Sequence, residues 1–174
     1  MTFQHCMVDL ETLSQEPTAV IVTIAAVKFN FDSDEIETFS VNVDPKSSLK
    51  YGAIISEDTL EWWKRQDKAA IDAWKLNPIP IEQAIEEFID FLGDCDKTKL
   101  WAQGIDYDFV ILKFIMKQLG LSAPWKYWNQ CDTRTVFTIA NFNTKFAPRV
   151  GSYHNAIDDC RTQIAWLKQI LAKT

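Results

Sequence analysis

No apolar run in this chain approaches the ~18 residues that a membrane-spanning helix needs, so no helical membrane span and no membrane partner are expected. The opening stretch MTFQHCMVDLET lacks a basic segment followed by a long apolar one. A secretory leader is therefore not expected either. The four cysteines (Cys6, Cys95, Cys131 and Cys160) form no CxxC pair, which argues against a zinc site. Set inside apolar stretches, they read as reduced, partly buried thiols of a cytoplasmic protein. An excess of basic residues is missing too. Lys and Arg number 18 against 24 Asp and Glu, a net charge of −6. That argues against broad, non-specific binding of nucleic acid along a basic face. It leaves room for an enzyme that grips one chain end at a metal-filled site, where bound cations dominate the local field. Repeats, low-complexity tracts and linkers are absent.

What is present is a core-forming composition. Hydrophobic residues make up 47% of 174, enough for one domain, 1–174, with a proper core. Residues 4–10 and 19–31 read as apolar strands, and 35–44 alternates as their neighbour. The turn at 32–34 makes the last two a hairpin, and the first strand is expected to pair with them antiparallel. Residues 45–56 read as irregular. Ser56 then caps a helix over 57–66, with Glu57 and Asp58 in its first turn. Further helices are expected over 68–75, 81–93, 107–120, 133–142 and 154–173. Short strands are expected over 98–104 and 126–132. Strands first, then helices and strands in alternation, predict an α/β fold with one mixed sheet covered by helices.

The chemistry begins at VDLET. Alternate side chains of a strand share a face, so Asp9 and Glu11 point the same way, one residue apart. Two close carboxylates repel, and a hard divalent cation such as magnesium or manganese removes that conflict. An isolated DxE is more often a solvated strand end, but this one has company. In GIDYDFVIL, the helical stripe of Leu112, Ile115 and Leu119 includes Asp108 and leaves Asp106 on the far side. An acid on the buried side of a first turn needs a reason, whereas Asp106 reads as a cap or a solvated acid. In the last helix the stripe is Ile157, Cys160, Ile164, Leu167 and Leu171. Asp159 lies at its edge and Asp158 points away. His154, one of two histidines, precedes it. Acids from three segments can hold two metals about 4 Å apart, an arrangement that clamps both oxygens of a phosphodiester displacement. A neutral histidine beside them can take a proton from water.

These motifs resemble the DEDDh 3′–5′ exonucleases of the ribonuclease H-like fold. VDLET matches the first motif (Asp9, Glu11), GIDYDFVIL the second (Asp108), and HNAIDDC the third (His154, Asp159). TLEWWKRQ, APWKYWNQCDTRT and VGSYHNAIDDC are similar to a branch of small bacterial and phage exonucleases. That branch includes the phage exodeoxyribonuclease A type and mycobacterial exoribonuclease-like proteins. Many of its members carry Phe where this chain has Tyr107, and an Asn where it has Gln103. The resemblance implies a five-stranded mixed sheet, antiparallel in its first three strands and then parallel, flanked by helices. It implies hydrolysis of single-stranded RNA or DNA from the 3′ end to nucleoside 5′-monophosphates, and a homodimer. Asp9 would bridge two Mg²⁺ ions, with Mn²⁺ able to substitute. Glu11 and Asp159 would complete one site, Asp108 would hold the other, and His154 would be the general base. Leu10 and Thr12 would lie against the terminal nucleotide, with Leu13 near its base.

Trp62 and Trp63 are adjacent on one helix, so they point in different directions. One belongs in the core; Trp62 is the choice for stacking on a base. Lys145 and Arg149 read first as solvated loop charges, and second as phosphate contacts. The rival functional class is a catalytically weak module that binds nucleic acid or protein on the same fold. An aspartyl-phosphate phosphatase is disfavoured because the second acid is Glu11 rather than Asp.

Overall fold

The computed structural model describes residues 3–172. Five strands, β1 (His5–Thr12), β2 (Ile21–Phe29), β3 (Ile36–Asn42), β4 (Lys99–Ala102) and β5 (Gln130–Asp132), form one sheet in the order β3-β2-β1-β4-β5. The β1–β2 and β2–β3 pairs are antiparallel, and the β1–β4 and β4–β5 pairs are parallel. This is the mixed sheet expected. Among the described residues seven α-helices accompany it: α1 (Pro45–Leu49), α2 (Glu57–Trp63), α3 (Lys68–Trp74), α4 (Ile81–Leu92), α5 (Asp108–Gln118), α6 (Thr133–Ile139) and α7 (Ala156–Leu171). Among the described residues no helix is long and apolar enough to cross a membrane.

Helix α1 corrects the irregular reading of residues 45–56. Asp44 accepts a hydrogen bond from the Lys46 N–H at 3.0 Å, and Pro45 follows at the first helical turn. There the missing proline N–H costs nothing, because that donor would have no helical partner. The strand expected over 126–132 is shorter than read. A 3-10 turn at Tyr127–Asn129 precedes β5. The last helix begins at Ala156 rather than at residue 154. Asn155 caps it, accepting from the Asp158 N–H at 3.4 Å. Lys173, included in the expected helix, lies outside the described residues.

Alternation along β1 divides the core. Cys6, Val8 and Leu10 pack on one face with α4 and α5, through Ile85, Phe88, Ile111 and Leu112. Met7 packs on the other with Ala25, Val27 and the Cys160, Ile164 and Leu167 stripe of α7. Asp9 and Glu11 continue the Met7 face, so the period of two aims both carboxylates at the helix that carries Asp159. Strand β4 pairs with β1 only as far as Met7 and ends at Ala102, while β1 runs on to Thr12. The far end of β1 therefore has free backbone donors on that side. The Leu10 N–H is one, and it donates to Asp108 Oδ1 at 3.1 Å.

Candidate active site

Carboxylate oxygens of Asp9, Glu11 and Asp159 all lie within 4.8 Å of one another. Asp108 enters from the start of α5, is 5% exposed, and is tied to β1 through Leu10. Asp106 is exposed, as its helical phase predicts. A pocket of about 260 Å³ is lined by Asp9, Asp108, His154 and Asp159. It adjoins a cleft of about 500 Å³ lined by Glu11, Thr12 and Trp62, and Leu10 and Tyr107 line both.

Crowding the acids has the electrostatic consequence expected of it. Burial, then Asp108, Glu11 and Asp159, push the Asp9 carboxyl well above the usual carboxylate range. Asp9 is half-buried and lines the pocket, so the shift comes from dense packing around its carboxyl together with its like-charged neighbours. Glu11 is pushed up to about 8 by burial, then by Asp159 and Asp108. Asp108 is pushed up to about 7 by burial, against the pull of the Leu10 hydrogen bond and Arg134. Burial raises Asp159 as well, while Arg149 and His154 oppose it. Hard oxygen donors this close, destabilised as anions, suit a divalent cation.

His154 sits before α7 with a left-handed backbone, φ 57°. Its ring meets Trp62 edge-on at 4.8 Å and Trp63 at 6.1 Å. Of the two tryptophans, Trp63 is the core member, 3% exposed, its indole N–H donating to the Thr12 carbonyl at 2.9 Å. Trp62 is 37% exposed on the cleft wall. The Thr12 and Tyr107 hydroxyls meet at 2.5 Å, and both reach the Ser14 carbonyl oxygen. They hold the end of β1 where its register shifts after Glu11. Leu13 is a correction: it is buried with Val20, Val22 and Trp63 and does not reach the cleft wall.

Two residues at the site escaped the reading of the sequence as ligand partners. Gln163 donates through Nε2 to Asp9 Oδ1 at 3.1 Å. Its signal was its place one helical turn after Asp159, on the same face. Arg149 is not a solvated loop charge. It pairs with Asp159, both side chains less than a fifth exposed, and lies 4.0 Å over the Tyr153 ring. Asp158 is also less free than its phase suggested. It accepts the Ser152 N–H at 2.9 Å and pairs with Arg161 at 3.5 Å. A Cβ on Gly151 would fall 2.1 Å from its carboxylate, so only glycine fits there. Asp158 thus anchors the loop that carries His154. Asp158→Ala should cost about 1–2 kcal/mol of stability and lower activity severalfold. Asp106→Ala should change neither. Urea melts and initial rates check both, and complete inactivity of Asp158→Ala would mean that it belongs with the ligand acids.

Residues 4–171 match the family described as the 3′–5′ exoribonuclease Rv2179c-like domain. The chain belongs to this family. It is accordingly a nuclease of the DEDD 3′–5′ exonuclease group, a phosphodiester hydrolase. An exodeoxyribonuclease of Enterobacteria phage T4 is 25% identical over 204 aligned residues, covering 95% of this chain and 88% of the phage protein. The structure of S. pombe Pop2p in its Mg²⁺- and Mn²⁺-bound form superposes with a TM-score of 0.67 at 14% identity. It covers 98% of this chain and 84% of Pop2p, a likeness of fold.

Proposed function

We propose that this Rv2179c-like chain, acting as one domain over residues 1–174, removes nucleotides stepwise from the 3′ end of single-stranded RNA or DNA and releases nucleoside 5′-monophosphates. One observation carries the reading. The oxygens of Asp9, Glu11 and Asp159 converge within 4.8 Å, and Asp108 and His154 face the pocket they share. Asp9, Glu11, Asp159 and Asp108 would hold two Mg²⁺ ions, or Mn²⁺ in their place. When bound, such a pair supplies charge stabilisation at the attacking and leaving oxygens of the phosphodiester.

The chain's own groups do the rest. His154 takes the proton of the attacking water. Its loop position outside α7, braced by Trp62, puts the ring at the pocket wall rather than within the helix. Leu10 lines both pocket and cleft and Thr12 lines the cleft, where the terminal nucleotide rests, and Trp62 stacks on its base. The same reading carries a homodimer, which sedimentation of the full chain decides.

The test is a time course on 5′-labelled single-stranded RNA and DNA of one sequence, with Mg²⁺, Mn²⁺ or EDTA. A descending ladder that needs metal supports the proposal, and the faster lane names the preferred sugar. His154→Ala should lower kcat about 10²–10⁴-fold and leave Mn²⁺ affinity nearly unchanged. A histidine variant that keeps full kcat would remove the base assignment. Absence of any ladder, with strand binding retained in EDTA, would point to a binding module on this fold.

A further inference from the structure

A third cleft, about 580 Å³, opens beside the acidic pocket. Gln103 lines both, so the two adjoin at the end of β4. Its walls carry two cations, Arg134 and Lys145, together with the amides of Asn141 and Asn143 and the ring of Phe142. No acid lines it, although the chain as a whole is net −6. Among the described residues neither cation has an ion-pair partner. Arg134 is held in place by shape. Its guanidinium lies against Gly104, where φ is +115° and a Cβ would fall 2.8 Å from Nη1. It stands near enough to Asp108 to favour that acid's ionised form.

Two cations outside any salt bridge, with amide donors beside them in one groove, match the chemistry of the backbone of a single nucleic-acid strand. The cations meet phosphates, and the amides offer hydrogen bonds to phosphate and sugar oxygens. We propose that this cleft binds the sugar-phosphate backbone of the strand upstream of the terminal nucleotide, with Arg134 and Lys145 on successive phosphates. The inference rests on the exonuclease reading of the neighbouring pocket, and adds to it a determinant of substrate length. A dinucleotide would fill only the acidic pocket and the Trp62 cleft beside it, while longer strands would also occupy this groove.

Binding measures this without turnover. In an Asp9→Ala background, fluorescence anisotropy follows 5′-fluorescein oligonucleotides of two and six residues. The six-residue strand should bind more tightly than the two-residue one. Arg134→Gln with Lys145→Ala should weaken the longer strand roughly tenfold and lower its log–log salt slope by about 0.7 for each phosphate no longer neutralised. Lys145→Glu alone, in an exposed loop, tests the cleft even if the Arg134 variant folds poorly. Lys117→Glu, on the exposed side of α5, changes net charge equally and should not alter the length effect. Equal affinity for both lengths, or a length effect that survives Lys145→Glu, overturns the inference. Mononucleotide release by the protein with Asp9 intact is a separate measurement, so the catalytic reading stands or falls independently.

Discussion

Asp9→Ala is expected to lower kcat by about a thousandfold or more, while the metal-free variant melts at a higher temperature than the metal-free parent. Both effects follow from its position. Asp9 is the acid whose carboxyl is pushed up by each of the other three, Asp108, Glu11 and Asp159, and its one hydrogen-bond relief is the Gln163 amide. Removing it takes away an acid that interacts with all three of the others, and with it a group placed to reach any cation that Glu11 and Asp159 hold. The same removal relieves repulsion in the empty site, since a buried charge without a counterion is destabilising. In a chain this size each kcal/mol gained is worth about 2–4 °C. Single-turnover rates at saturating Mn²⁺ and thermal melts in EDTA give the two numbers from one preparation. Asp9→Asn keeps the volume and the neighbour Gln163, and should reproduce both effects if charge is the cause. A variant that loses activity and melts lower would make Asp9 a packing residue.

The parts of the site that were legible in the sequence are those governed by a local period. Asp9 and Glu11 share a face because strands alternate, and Asp108 rather than Asp106 turns inward because a helix advances 100° per residue. The same arithmetic brought Asp159 to the edge of the α7 stripe. It turned Asp158 away from that stripe but could not give its partners, because the phase of a helix says nothing about a loop that folds back onto it. Arg149 lies in residues 143–155, which have no period. Its pairing with Asp159 depends on the Val150–Thr162 hydrogen bonds, at 3.0 and 3.1 Å, that lay this loop along α7. That Trp62 and Trp63 face differently was legible; which one is buried depends on Leu13, Val20 and Val22, which arrive from β2 and the loop between β1 and β2. Helix α1 is five residues long, too short for a helical period to show, although Asp44-Pro45 is a cap followed by a proline at the first turn.

The metal-free protein should lose stability as pH rises from about 4 to about 8, and Mg²⁺ or Mn²⁺ should flatten or reverse that slope. Glu11 titrates at about 8 in the folded chain against an ordinary 4.5, and Asp108 at about 7 against 3.8. Raised folded-state values mean that the native state binds more protons than the unfolded state throughout this window. The stabilisation they represent is complete below the unfolded values and is lost as pH climbs through the folded ones. Arg149 and Arg134 offset only part of the cost, the first by pairing with Asp159 and the second by favouring ionised Asp108. A divalent ion acts in the opposite sense. It competes with protons for the same oxygens, so its affinity and its stabilisation grow as the carboxyls ionise, reaching about 2.7 kcal/mol at a hundredfold excess over Kd. Urea melts from pH 5 to 9, in EDTA and in each metal, separate the two regimes. Glu11→Gln in EDTA should flatten the slope, which distinguishes the acid cluster from the general repulsion of a chain with net charge −6. If stability in EDTA is level or rising over this range, the four acids do not form one electrostatic unit, and the pull toward a divalent cation loses its physical basis.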